Sequence, residues 1–244
     1  MTKYWTILIL LFSLSLLTGE TTYSDSLLLS AKEGNAEAQN KLGICYDQGL
    51  GVERNKAKAV KYFRLAAEQG YADAQYNMAA NSYHKKSEML KWYKLAAEQN
   101  HPGALSGLGQ VYFDGNGVTK NYKTATGYFL RAAELGDATG QFWYGMSNYW
   151  GHGVLKNYAE AARNFQLAAE QQHTSAMTYL GFCFFNGNGV EKNLETAYFW
   201  HLLANAFGNS SGGIGLVELE QLLTTEQKNN AQAQAQIWLD THKK

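Results

Sequence analysis

Gly49-Leu50-Gly51-Val52-Glu53-Arg54-Asn55 returns three times along this chain. The later copies are Gly115-Asn116-Gly117-Val118-Thr119-Lys120-Asn121, Gly151-His152-Gly153-Val154-Leu155-Lys156-Asn157 and Gly187-Asn188-Gly189-Val190-Glu191-Lys192-Asn193. Gly115, Gly151 and Gly187 stand 36 residues apart, and Gly49 lies 66 residues before Gly115, six short of two periods. A fixed period in this range marks stacked supersecondary units. Ahead of Gly115, Ala104, Leu108 and Tyr112 share one helical stripe. Behind it, Asn121 is a good N-cap for a second helix carrying Ala125, Tyr128 or Phe129, Ala132 and Ala133. Gly136 then ends that helix in the left-handed region.

The same frame divides the chain into five helix-turn-helix repeats at 35–70, 71–100, 101–136, 137–172 and 173–208. The second repeat lacks the glycine turn. There Tyr83-His84-Lys85-Lys86-Ser87 must reverse the chain in fewer residues, with Ser87 as the expected N-cap. Residues 20–34 read as an N-terminal capping half-repeat and residues 209–244 as C-terminal capping helices. Thr224 and Gln227 are placed for a capping box, and Ala231, Ala235 and Trp238 form one apolar face. The fold class is therefore all-α, a solenoid of helix pairs.

Ala-x-Ala-Gln-x-x-Leu-Gly-x-x-Tyr at Ala36 to Tyr46, followed by Gly-x-Gly-Val, Asn55, Tyr62 and Ala66-Ala67-Glu68-Gln69-Gly70, resembles the Sel1-like repeat, a relative of the tetratricopeptide repeat. The resemblance implies a right-handed α/α superhelix whose concave face holds partner proteins or peptides. Many bacterial members are exported adaptors, some in host interaction. Cysteine-rich relatives pair a cysteine in each helix of a unit, and some bind or hydrolyse β-lactams. This chain lacks those pairs.

Composition narrows the function classes. Lys+Arg and Asp+Glu each number 21, so no basic excess exists to neutralise many phosphates, which argues against a nucleic-acid partner. Lys3 followed by the apolar run Tyr4 to Leu17 reads as a signal peptide over residues 1–19, with a single-span membrane anchor as the alternative. N-terminal sequencing of the mature chain separates the two. Export to the periplasm or medium is the expectation.

No catalytic constellation emerges. Cys45 and Cys183 fall in one column of repeats one and five, too far apart along the array for a disulfide, and are expected as unbridged, largely buried thiols. Ser82-Tyr83-His84-Lys85 spells the Ser-x-x-Lys of serine β-lactamases, but neither Ser-Asp-Asn nor Lys-Thr-Gly completes it. The six histidines show no metal-ligand spacing. The Gly-x-Gly segments follow a helix rather than a strand, which defeats a phosphate-loop reading. No cofactor is expected, and the chain is expected to be a monomer.

A surface remains. First helices of a solenoid line its concave side. There the residues two, six and nine places after each stripe alanine form a second face. The candidate partner-binding residues on and beside it are Tyr76, Tyr83, Gln110, Phe113, Phe142, Trp143, Met146, Tyr149 and Trp150. Aromatics at helical spacing also serve packing between repeats, and both readings stand at this point. The leading function is a non-catalytic protein- or peptide-binding adaptor. The alternatives are a β-lactamase-like hydrolase and a membrane-anchored assembly factor.

Overall fold

The computed structural model describes residues 22–242, with side chains at 210–214 not described. The N-terminal apolar run lies outside the described residues. The described chain is all-α and divides after His101 into two compact units. Unit 1 holds α1 (Asp25–Lys32), α2 (Ala36–Gln48), α3 (Lys56–Glu68), α4 (Ala72–Asn81) and α5 (Lys86–Glu98). Unit 2 holds α6 (Pro102–Asp114), α7 (Tyr122–Glu134), α8 (Ala138–Trp150), α9 (Tyr158–Glu170), α10 (Thr174–Asn186), α11 (Leu194–Ala206), α12 (Ser210–Leu222) and α13 (Thr225–Thr241). Within each unit the helices pack in chain order, so α2/α3, α4/α5, α6/α7, α8/α9 and α10/α11 are the five repeats.

The recurring seven-residue stretch is a helix stop joined to a helix start. Gly49, Gly115, Gly151 and Gly187 take φ of 81°, 74°, 77° and 74° and end the first helices. Asn55, Asn121, Asn157 and Asn193 accept the backbone N–H of Lys58, Thr124, Glu160 and Thr196 and start the second. Each such cap contributes about 1 kcal/mol. The capping asparagine also donates its own N–H back to the first helix, as from Asn55 to Tyr46 O at 2.7 Å.

Small residues let the helices close. Ala59, Ala66, Ala125, Ala132, Ala161 and Ala168 are fully buried. In repeats one, three and four a ring fills the slot opposite a first-helix glycine: Phe63 against Gly43, Phe129 against Gly109, Phe165 against Gly145. In repeats one, two and four a glutamine pair ties the two helices together. Gln69 Nε2 donates to Gln39 Oε1 at 2.7 Å, Gln99 to Gln75 at 2.9 Å and Gln171 to Gln141 at 2.8 Å. Gln39 and Gln75 in turn donate to Ala31 O and Ala67 O of the preceding helix. The corresponding residues are Leu105 and Leu135 in repeat three, and Met177 and Phe207 in repeat five, so both members of a pair change character together.

Two sequence expectations at turns fare differently. Thr224 and Gln227 form the capping box of α13. Ser87, expected to cap α5, instead lies inside its first turn: the helix begins at Lys86, Lys85 occupies the N-cap position, and no side-chain cap forms. Lys85 N donates to Ser82 O at 2.7 Å, and that tight turn brings the helix start forward.

Gly34, Gly70, Gly136 and Gly208 end helices at φ between 81° and 97°, but the same column holds Asn100 at 57° and Gln172 at 66°. Left-handed backbone costs an ordinary side chain about 1–2 kcal/mol, and asparagine less. Gln172→Gly is therefore expected to stabilise the protein even though it loses the bond from Gln172 Nε2 to His242 O. The net gain is about 0.5–1 kcal/mol, read as a melting-temperature rise of about 1–3 °C. Asn100→Gly should gain less, and a fall in melting temperature for Gln172→Gly would refute the strain argument.

Candidate interaction surface

In unit 1, Tyr76 stacks on His101 with ring centroids 4.8 Å apart, and His101 Nε2 lies 3.3 Å from Asp73 Oδ1. Tyr76 is thus held within unit 1. Tyr83, on the shortened turn, is 63% exposed and meets only the edge of His84 among the described ring contacts.

In unit 2, most candidates face inward. Phe113 sits among Tyr122, Phe129, Trp143 and His152 at centroid distances of 5.0–6.4 Å. Trp143 stacks on Phe129 at 5.7 Å. Phe142 is buried, stacked on His173 at 4.6 Å and packed against Phe165 and Tyr179. A buried ring is closed to a partner, so Phe142 belongs to packing between repeats rather than to the proposed face. Met146 and Tyr149 are partly buried against the same core. Tyr149 OH accepts a bond from Asn188 Nδ2 at 3.0 Å, and burial raises the phenol's pKa. Gln110 Nε2 donates to Asp114 Oδ2 at 2.7 Å along its own helix.

Trp150 differs. It is the last residue of α8 and is 50% exposed, with its ring edge-on to Tyr149. Its column elsewhere holds Gln48, Asp114 and Asn186. Leu155, on the following turn, is 92% exposed where the other copies hold Glu53, Thr119 and Glu191. The two flank one glycine turn. Gly151, next to Trp150, approaches Lys156, next to Leu155; a methyl on Gly151 would lie 3.6 Å from Lys156 Cβ. Repeat four therefore presents two exposed apolar side chains where the other three glycine turns are polar. Sequence reasoning named Trp150 and missed Leu155; comparing the turn columns would have found it.

Among the described residues the Ser82, Lys85 and cysteine side chains do not form one cluster. Ser82 is buried, and Lys85 Nζ lies 3.7 Å from Glu88 Oε2. Arg64 donates to Glu88 at 2.7 Å and holds its carboxyl below the usual range. Cys45 and Cys183 are both fully buried, and burial pushes the Cys183 thiol up to about 12. A thiol so raised supplies almost no thiolate at neutral pH. Among the described residues no group of three or more His, Cys, Asp or Glu side chains is arranged for a metal ion. No described helix is long and apolar enough to cross a membrane.

Helix pairs with alanine-lined crossings, repeated five times and hinged by glycines in four of them, define an α/α repeat scaffold. The Sel1 repeat pattern matches residues 36–71, 72–86, 90–101, 102–137, 138–173 and 174–206, and the chain belongs to the Sel1 repeat family. The shortened second repeat is matched in two pieces. A protective antigen of uropathogenic Escherichia coli strains, which displays an SLR fold, is 31% identical with a TM-score of 0.79. That similarity covers 88% of this chain and 47% of the antigen. A Sel1 repeat protein from Oxalobacter formigenes is 33% identical with a TM-score of 0.70, covering 86% of each chain. Among curated proteins, DAP3-binding cell death enhancer 1 of Rattus norvegicus is 45% identical over 47 residues, 19% of this chain and 9% of that protein. The chain thus spans about half of the first solved relative and the matched stretch only a small part of the curated one.

Proposed function

We propose that this chain is a non-catalytic adaptor, exported by its N-terminal apolar run, that holds a protein or peptide partner at the turn of repeat four. One observation carries the reading. Trp150 and Leu155 are exposed and apolar at positions that are polar in the other three glycine turns. A repeat fold does not need an apolar side chain at either place, because three sister copies do without one. Large amphipathic rings such as tryptophan dominate binding hot spots. The antigen among its structural relatives is in keeping with an exported position.

The test uses substitutions that repeat five already tolerates. Trp150→Asn with Leu155→Glu copies Asn186 and Glu191 and should leave stability nearly unchanged. Capture of the partner by the mature chain should weaken by about tenfold or more. Undiminished capture with an intact fold would reject the surface.

A further inference from the structure

We propose that His201 is a proton-sensitive latch that holds the C-terminal cap, α12 and α13, on repeat five, and that its protonation releases them. His201 occupies the column that holds Phe63, Phe129 and Phe165 in repeats one, three and four. As those rings do, it fills the slot opposite a first-helix glycine; a methyl on Gly181 would lie 2.8 Å from its Nε2. Its other side is closed by the cap. A methyl on Gly215 of α12 would lie 2.5 Å from its Cε1 and 2.7 Å from its Nδ1. Phe182 meets the ring edge-on at 4.9 Å. The side chain is 1% exposed, and neither ring nitrogen has a hydrogen-bond partner among the described residues.

A neutral ring fits this slot and an imidazolium does not, because a charge without water or a partner is strongly disfavoured. The groups that titrate nearby do not offer a partner. On α10, Cys183 is a buried neutral thiol. On α11, Glu195 lies in the first turn, six residues before His201, and Tyr198 OH is 3.5 Å from Glu220 Oε1. On α12, Glu218 and Glu220 are exposed. On α13, Lys228 Nζ donates to Glu220 O, His242 stacks on Trp238, and Glu226 and Asp240 are exposed. Burial alone depresses the His201 pKa, to about 4. The helix that must give way is weak by composition: α12 opens Ser-Ser-Gly-Gly-Ile-Gly at 210–215.

The sign follows from linkage. Above about pH 6.5 the ring is neutral whether the cap is closed or open. As pH falls from there towards 4, only the open form binds the proton, so the closed cap loses stability across that window. The opening constant should rise about tenfold by pH 5.5 and on the order of 70-fold by pH 4.5.

Amide exchange protection in α12 and α13 of the full chain, measured at pH 7.5, 5.5 and 4.5, tests this. Wild type should lose protection there by those factors while α7 and α9, whose N-caps are asparagines, keep theirs. His201→Phe, which copies the sister repeats, should hold cap protection within about twofold over the range. His201→Leu serves the same purpose should phenylalanine overfill the slot. His173→Asn keeps the cap acceptor of α10 and should respond like wild type. Three outcomes would overturn the latch: flat cap protection in wild type, an equal acid response in both position-201 variants, or its loss in His173→Asn. Loosening of α7 and α9 in step with the cap would also overturn it, since that is general acid unfolding.

Discussion

Gly189→Ala is expected to destabilise the protein by about 3–5 kcal/mol, whereas Gly187→Ala costs about 1–2 kcal/mol. The two glycines belong to one turn and share a backbone conformation, with φ of 76° and 74°. Conformational strain therefore cannot separate them. Space does. A methyl on Gly187 would rest 3.4 Å from Lys192 Cβ, within reach of a small adjustment. A methyl on Gly189 would overlap the carbonyl of Tyr158 and lie 2.5 Å from Ala159 N, in the first turn of α9. Both are backbone atoms of the preceding repeat, and no rotamer change moves them aside. Gly153 meets Tyr122 and Lys123 at the start of α7 in the same way, so Gly153→Ala and Gly151→Ala should repeat the contrast. Urea unfolding of the four variants reads the difference as a shift in midpoint. Equal losses within each pair would show that the second glycine serves only the turn.

That contrast marks what the sequence discloses and what it withholds. The stop glycine, the capping asparagine and the crossing alanines each act within a few residues of their own position, and the 36-residue period makes them visible. The second glycine acts on a backbone one repeat away, and its sequence neighbours give no sign of that. The glutamine pairs are hidden for a related reason. Gln141 and Gln171 sit 30 residues apart, and only the packing of the two helices of repeat four brings their amides within 2.8 Å. The candidate surface was legible as a set of aromatics, but exposure sorts it. Phe142 and Trp150 look alike as large rings on one helix; the first, packed against Phe165, His173 and Tyr179, is 7% exposed, and the second, the last residue of the helix, is 50% exposed. His201 reads in sequence as one histidine among six, and its meaning appears only when its column is compared with Phe63, Phe129 and Phe165.

Phe165→Ala should be among the costliest single substitutions in unit 2, at about 3–5 kcal/mol, since the ring is fully buried and a cavity would replace it. Phe142, Tyr149 and Tyr179 surround it at centroid distances of 6.0, 6.2 and 5.4 Å. The sharper expectation concerns its partner. A methyl on Gly145 would lie 2.7 Å from the Phe165 ring, so Gly145→Ala alone should cost about 1–3 kcal/mol despite alanine's better helix propensity. Phe165→Leu withdraws the ring atoms that the methyl strikes. The double variant Gly145→Ala/Phe165→Leu should then lose less than the sum of its parts, by about 1–2 kcal/mol. Repeat two already holds a version of this exchange. It carries Ala79 in the glycine column and Tyr93 in the phenylalanine column, and Tyr93 is only partly buried where Phe63, Phe129 and Phe165 are at most 2% exposed. A methyl there is accommodated by a ring that stands further out. Denaturant unfolding of the wild type, both single variants and the double variant closes the cycle. Additivity within about 0.5 kcal/mol would mean that the glycine slot and the ring are not coupled.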